Sequence, residues 1–278
     1  MIEFPRTEVG GISLPRMIIG TNWFLGFSHQ SRPKDNFIRS YQTSKNVADI
    51  LCVFLEYGID AVIGLPLPIL NDGIKEAEQR TGKKMTRIMT PAFNIIPGGP
   101  ENMDPERVLD NCRKQETTIC MPHQMVTDAL VDRMLRKIRD VDRYMKMIRD
   151  RGMIPALATH MPETIRYADD NGVDAETYIQ MYNALGFLMQ VEVDWVMRII
   201  SKAKKPVMTI KPLAAGKLTP TVGLAFVWNT IREHDMVCVG TTTPDEAKEV
   251  VEISLTYLDR RLPDHELQKT RSKSALED

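Results

Sequence analysis

The sequence contains no run of about 18 apolar residues, the length a membrane-spanning helix needs. No membrane association is expected. None of its four cysteines, Cys52, Cys112, Cys120 and Cys238, forms a C-x-x-C pair. Most lie in or beside apolar segments, as buried free thiols of a reducing compartment do. Cys120, with His123 close behind it, is the candidate for a reactive thiol. No excess of either charge is present, with 36 Lys and Arg against 37 Asp and Glu. A non-specific nucleic-acid binder carries a basic field, so near-neutrality speaks against that class. No G-x-G-x-x-G follows a first strand, which removes the fingerprint of an open dinucleotide-binding sheet. Missing too are an H-E-x-x-H pair, a carboxylate cluster suited to magnesium, and a carboxylate pair suited to glycosidase work. The opening MIEFPRTEVGG carries charge early and lacks an apolar core, so no secretory leader is expected and the cytoplasm is the expected compartment.

What is present is a repeating unit. The chain has 278 residues, against about 250 for a single α/β barrel. Short apolar runs alternate with amphipathic segments. Strands are expected at 17–20, 59–65, 86–90, 117–121, 153–158, 177–181, 206–210 and 235–239. Helices are expected around 47–55, 70–81, 105–115, 127–151, 163–171, 192–202, 221–233 and 244–258, with a loop-like element near 24–46. Gly58, Gly82, Gly152 and Gly172 are placed as C-caps. Pro105 and Pro244 fall where a helix begins. Nearly continuous apolar strands indicate a parallel sheet covered by helices. The unit count predicts one (β/α)₈ TIM barrel over 1–262, followed by a polar tail or short helix over 263–278.

In such a barrel the active site forms at the C-terminal ends of the strands. Polar residues fall there at Thr21, Asn22, Thr90, His123, Thr159, His160, Gln180, Tyr182, Asn183, Lys211 and Gly240–Thr243. His123 and His160 follow neighbouring strands and are candidates for proton transfer. Each has the alternative of a structural histidine. A metal would need a third ligand from His29, Cys120 or a loop acid, and no metal is assigned. Lys211 admits three roles: imine-forming nucleophile, ligand for an anion, or paired structural lysine. Gly240, Thr241 and Thr242 present backbone N–H groups at a helix start, which suits an anion or an ordinary cap.

Six segments in order resemble the aldo/keto reductase family: LPRMIIGTNWFLG, LEYGIDAVIG, ALATHMPETI, YIQMYN, IKPLAAGKL and VGTTTPDEAKEV. The resemblance covers most of the chain. It implies an NADPH- or NADH-dependent carbonyl reductase with an Asp, Tyr, Lys and His tetrad. Carried over by position, the Asp falls at Ile63, the Tyr near Pro68 and the Lys at Pro91 after Thr90; only His123 is kept. The pair that holds the nicotinamide amide becomes Ala158 and Thr159. Gln180 is kept, with Asn183 one position short of the family's Asn. The anion clamp lacks the basic residue often used for the 2′-phosphate. With the polar residues of the barrel mouth, the candidate cofactor contacts are Thr159, Gln180, Lys211, Gly240, Thr241 and Thr242, and the candidate catalytic set is His123, His160 and Lys211. Ile63 and Pro91 have no proton to donate, with Tyr182 and Tyr41 as candidate substitutes. Two readings follow: an altered enzyme acting on a small anionic metabolite, with NADP or NAD as the implied cofactor, or a non-catalytic barrel that binds a metabolite or protein. An apolar patch at Trp23, Phe24 and Phe27 would favour the protein partner.

Overall fold

The computed structural model describes residues 3–65, 67–93 and 104–262. The expected tail at 263–278 lies outside the described residues. The chain begins with an antiparallel hairpin, Arg6–Val9 against Ile12–Pro15. Its turn residues Gly10 and Gly11 both have positive φ, as a tight two-residue hairpin requires.

Parallel strands follow: β1 (Met17–Gly20), β2 (Ala61–Gly64), β3 (Thr86–Met89), β4 (Ile119–Cys120), β5 (Ile154–Pro155 with Leu157–Ala158), β6 (Tyr178–Met181), β7 (Val207–Ile210) and β8 (Met236–Gly240). The ladder runs continuously from one half of β5 through β6, β7, β8, β1, β2, β3 and β4 to its other half. Ala156 divides β5. Its N–H donates to Cys120 O at 3.1 Å on one side, and the next N–H, of Leu157, donates to Thr177 O at 3.1 Å on the other. The two halves are one strand that closes the ring, so the fold is a (β/α)₈ barrel.

Strand alternation sorts the side chains into two cores. Ile18, Ile63, Ile88, Ile119, Ile179 and Met208 share the cluster inside the ring. Met17, Ile19, Val62, Met89, Tyr178 and Val207 pack outward under the helices. Val9 and Leu14 of the hairpin join the inner cluster, so the hairpin plugs the N-terminal end. The helices carry their own start and stop signals. Pro68, Pro105, Pro162, Pro220 and Pro244 each open one, where a missing N–H costs nothing.

Two sequence expectations need correction. The long helix over 127–151 is two helices, Gln124–Leu130 and Val141–Asp150, separated by a small hairpin of Val131–Asp132 with Lys137–Ile138. Asp132 breaks it: its Oδ1 accepts from the N–H groups of Met134 and Leu135, folding a turn that competes with the helix. The loop-like stretch near 24–46 contains the helices Asn22–Leu25 and Arg32–Tyr41, the second capped by Ser31.

Candidate active site

The open end of the barrel leads into a cavity of about 800 Å³. Its floor is apolar, made by Ile63, Ala158, Ile179, Ile210 and Cys238 at the ends of β2, β5, β6, β7 and β8. Thr21, Trp23, Phe27 and His29 wall one side, and the segment from Lys211 to Pro220 walls another. The apolar patch that would favour a protein partner is not formed as a whole, although Phe27 is 38% exposed. Phe24 is 1% exposed, while Trp23 and Phe27 face the cavity. A roof tie joins two loops on the rim that flank β8: Gln30 Nε2, in the loop after β1, donates to Ala215 O at 2.6 Å in the loop after β7.

Lys211 follows the last residue of β7 and lines the cavity. Its ammonium has no hydrogen-bond or ion-pair partner among the described residues. Burial against the apolar floor lowers its pKa to about 8. The backbone here is unusual. Lys211, Ala214 and Ala215 have φ of 62°, 48° and 57°, a left-handed conformation that costs an L-residue roughly 1–2 kcal/mol. Strain of this kind is tolerated where a side chain must be aimed.

Three histidines line the same cavity, His29, His123 and His160. His160 is held neutral, at a pKa of about 4, by burial first and then by the charge of Lys211, with His123 and His29 adding to it. Burial also lowers His123. Partial desolvation and then Lys211 lower His29, whose Nε2 lies 3.2 Å from Asn22 Nδ2. His123 is the N-cap of helix Gln124–Leu130; its Nδ1 accepts the Met125 N–H at 3.3 Å, which leaves the proton of the neutral ring on Nε2. Lys217 also lines the cavity, with its ammonium 4.3 Å from the Phe187 ring centroid, as do Glu246 and Glu249; Lys211 is the lysine whose charge acts on His160 and His29.

Of the four positions that the resemblance assigns to the tetrad, Ile63 and His123 line the cavity and Pro91 does not. Ile63, Thr90, His123 and Ala158 all line the cavity. Pro68 starts a helix and does not line it. Among the described residues no tyrosine does either. Tyr182 is fully buried under the helices, with its hydroxyl 3.0 Å from Thr230 Oγ1, and Tyr41 is exposed on helix Arg32–Tyr41. Neither substitutes for the reductase acid. Cys120 is fully buried in the outer core, where a hydrogen bond with Cys112 and then burial raise its thiol pKa. It is no accessible nucleophile. No group of three or more His, Cys, Asp or Glu among the described residues is placed to hold a metal ion.

The expected cofactor contacts divide. Lys211, Gly240 and Thr241 line the cavity; Thr159, Gln180 and Thr242 do not. Strand alternation explains the first two exclusions. Ala158 and Ile179 take the inward positions of β5 and β6, which turns Thr159 and Gln180 outward. The Thr159 hydroxyl is engaged with Asp128 Oδ1 at 2.5 Å. Thr242 is spent on its own helix: its N–H donates to Glu246 Oε2 at 2.6 Å. Thr243 accepts the Glu246 N–H and completes the cap. A carboxylate thus already sits where a phosphate would dock, and Glu249 lies nearby on the cavity wall. Thr241 Oγ1 is buried without a partner at this end. Sequence reasoning missed Glu246 and the Gln30 tie, and named His29 only as a candidate third metal ligand. Glu246 stood in plain sight three residues after Thr243, as the end of a capping box.

The residues present do not fit a nicotinamide cofactor as the resemblance would have it bound. The amide-holding side chains point away, the phosphate cradle holds Glu246, and the alkoxide-protonating acid is missing.

No protein-family profile and no curated protein sequence matches this chain. Solved structures do. A Pseudomonas aeruginosa protein assigned as an aldo-keto reductase aligns at a TM-score of 0.65 and 15% identity, over 91% of this chain and 96% of its own. An aldo/keto reductase from Brucella melitensis gives 0.61 and 12%, over 95% of each chain. A glycerol dehydrogenase from Gluconobacter oxydans gives 0.58 and 12%, over 95% of this chain and 99% of its own. At these identities the likeness is one of fold, and this chain has the barrel fold of the aldo/keto reductases.

Proposed function

We propose that this reductase-like barrel is an enzyme that binds a small anionic metabolite at Lys211 and moves protons with His123 and His160. The single observation that carries the reading is the unpaired ammonium of Lys211 in an apolar-floored cavity. A partly buried charge without a partner is costly, and an anionic ligand is the partner that removes the cost. The neutral histidines beside it accept or donate a proton without competing for the anion. Reduction with a nicotinamide dinucleotide is not part of the proposal, because the side chains for it are absent or turned away.

Calorimetric titration with a panel of short 2-oxo and 2-hydroxy carboxylates tests this. Wild-type protein is expected to bind at least one of them, with affinity lost tenfold or more in Lys211→Met. Equal binding by both proteins would remove Lys211 from the site. Fluorescence titration with NADH and NADPH checks the other half. Saturable micromolar binding of either would contradict the lack of fit. The binding-only reading has one observation in its favour, the cavity's missing tyrosine. It predicts that His123→Ala and His160→Ala leave ligand affinity intact and that no panel compound is turned over.

A further inference from the structure

We propose that Lys211 is a covalent nucleophile, forming an imine with the carbonyl carbon of a small 2-oxo acid. The inference rests on the reading of Lys211 as the anion-binding cation of this cavity and names the chemistry that follows binding.

Four features of the site converge on it. First, an imine-forming lysine must spend part of its time as the free amine. The floor of Ile63, Ile179, Ile210 and Cys238 penalises the ammonium. No carboxylate acts on it to restore the charge, since the described group that bears on it electrostatically is Cys238. Burial holds that thiol protonated, near 12. The acids of the cavity, Glu246 and Glu249, stand on helix Pro244–Asp259 and exert no resolved effect on Lys211. With a pKa of about 8, Lys211 supplies an appreciable fraction of free amine just above neutral pH.

Second, the same residue explains why the substrate should be a 2-oxo acid. The carboxylate pairs with the ammonium on entry. One bond away from it is the carbonyl carbon, which is thereby brought beside Nζ when the proton leaves. After condensation the positive charge of the iminium still faces the carboxylate, so the pairing is kept in the product.

Third, the groups that share the mouth suit the proton transfers. Nζ attacks with its lone pair, the C–N bond forms, and the carbonyl π pair moves to oxygen. The proton lost by nitrogen reaches that oxygen and gives a carbinolamine. A second proton, drawn from solvent, lets the hydroxyl leave as water, and the nitrogen lone pair forms C=N. His123, with its proton on Nε2, and His160, held neutral, are the relays the cavity provides. No oxidant or reductant enters. Fourth, the left-handed backbone at Lys211, Ala214 and Ala215 fixes a strained turn where the lysine must be aimed.

The test is reductive trapping. Wild-type protein at pH 8 is incubated separately with glyoxylate, pyruvate, 2-oxobutyrate and 2-oxoglutarate, treated with sodium borohydride, digested and analysed by mass spectrometry. The expected result is a secondary-amine adduct of at least one acid, confined to the peptide carrying Lys211. It should be absent from Lys211→Arg, which keeps the charge, and from Lys211→Met, with folding of both checked by circular dichroism. Adducts spread over surface lysines and unchanged in the variants would overturn the proposal, as would no adduct with any acid. Ligand-observed NMR without borohydride separates the two levels of the reading. Binding to wild type and Lys211→Arg but not Lys211→Met, with no adduct, overturns the imine and leaves the anion site standing. No binding to any of the proteins overturns both.

Discussion

Lys211 is the residue on which the reading turns, and it leaves a thermodynamic signature. Its folded pKa of about 8 lies below the ordinary 10.5. The native state therefore gives up the proton earlier than the unfolded chain as pH rises. Between these two values the unfolded state binds more protons, so stability rises with pH through this window. Below pH 8 the buried ammonium is a standing cost. Lys211→Met is expected to raise stability at pH 7 by about 1–2 kcal/mol, and to lose the rise between pH 8 and 10.5. Urea denaturation at pH 7 and at pH 10 measures both. A destabilised variant would show that the lysine is a structural member of the barrel. Glu246 makes the complementary point about phosphate. Its carboxylate accepts the Thr242 N–H at the start of helix Pro244–Asp259, which favours negative charge, and so completes a cap instead of leaving an anion site open.

At the scale of elements, the strand ends set which side chains reach the mouth. The apolar runs and the proline and glycine punctuation made the strand–helix units legible, and position along each strand then located the mouth. Facing was harder to read. Gln180 looked retained, yet Ile179 holds the inward position of β6. A slip of one residue reverses the face of a strand, and the one-residue shortfall before Asn183 was the only trace of it in the sequence. The helix expected over 127–151 failed for a different reason. Its periodicity is real on both sides of Asp132, but a side-chain-to-backbone turn interrupts it locally. The roof tie from Gln30 to Ala215 joins loops 185 residues apart in sequence, which no local pattern encodes. Cutting it with Gln30→Ala is expected to leave the fold intact and to speed ligand release about tenfold, corresponding to the loss of roughly 1.4 kcal/mol of bound-state closure. Stopped-flow displacement reads this directly, and an unchanged rate would show that the tie does not gate the cavity.

For the molecule as a whole, the barrel separates stability from chemistry at its two ends. The N-terminal end is sealed by the hairpin residues Val9 and Leu14 and by a buried ionic knot. Asp235, fully buried, accepts the N–H of Val207 at 2.8 Å and pairs with Arg232 at 2.7 Å, and Arg16 donates to the Asp235 carbonyl at 3.0 Å. Asp235→Ala takes the carboxylate from the Val207 N–H and the Arg232 guanidinium while leaving the carbonyl that Arg16 uses, so it is expected to cost about 3–5 kcal/mol, measured as a fall in the denaturation midpoint. Such a change lies at the end opposite the site. In any variant that remains folded it should leave ligand affinity unaltered. The C-terminal end is where the fold opens the cavity and holds the ammonium of Lys211, which has no partner among the described residues. Of the tetrad that the sequence resemblance implies, His123 stands at this end and Ile63 occupies the Asp position. The most direct test of this account is the side-chain titration of Lys211 by NMR, with and without a 2-hydroxy carboxylate, which pairs with the ammonium and has no carbonyl to condense with it. The account predicts a pKa of about 8 in the free protein, moving upward when the carboxylate binds. Titration near 10.5 with no response to the ligand would contradict it.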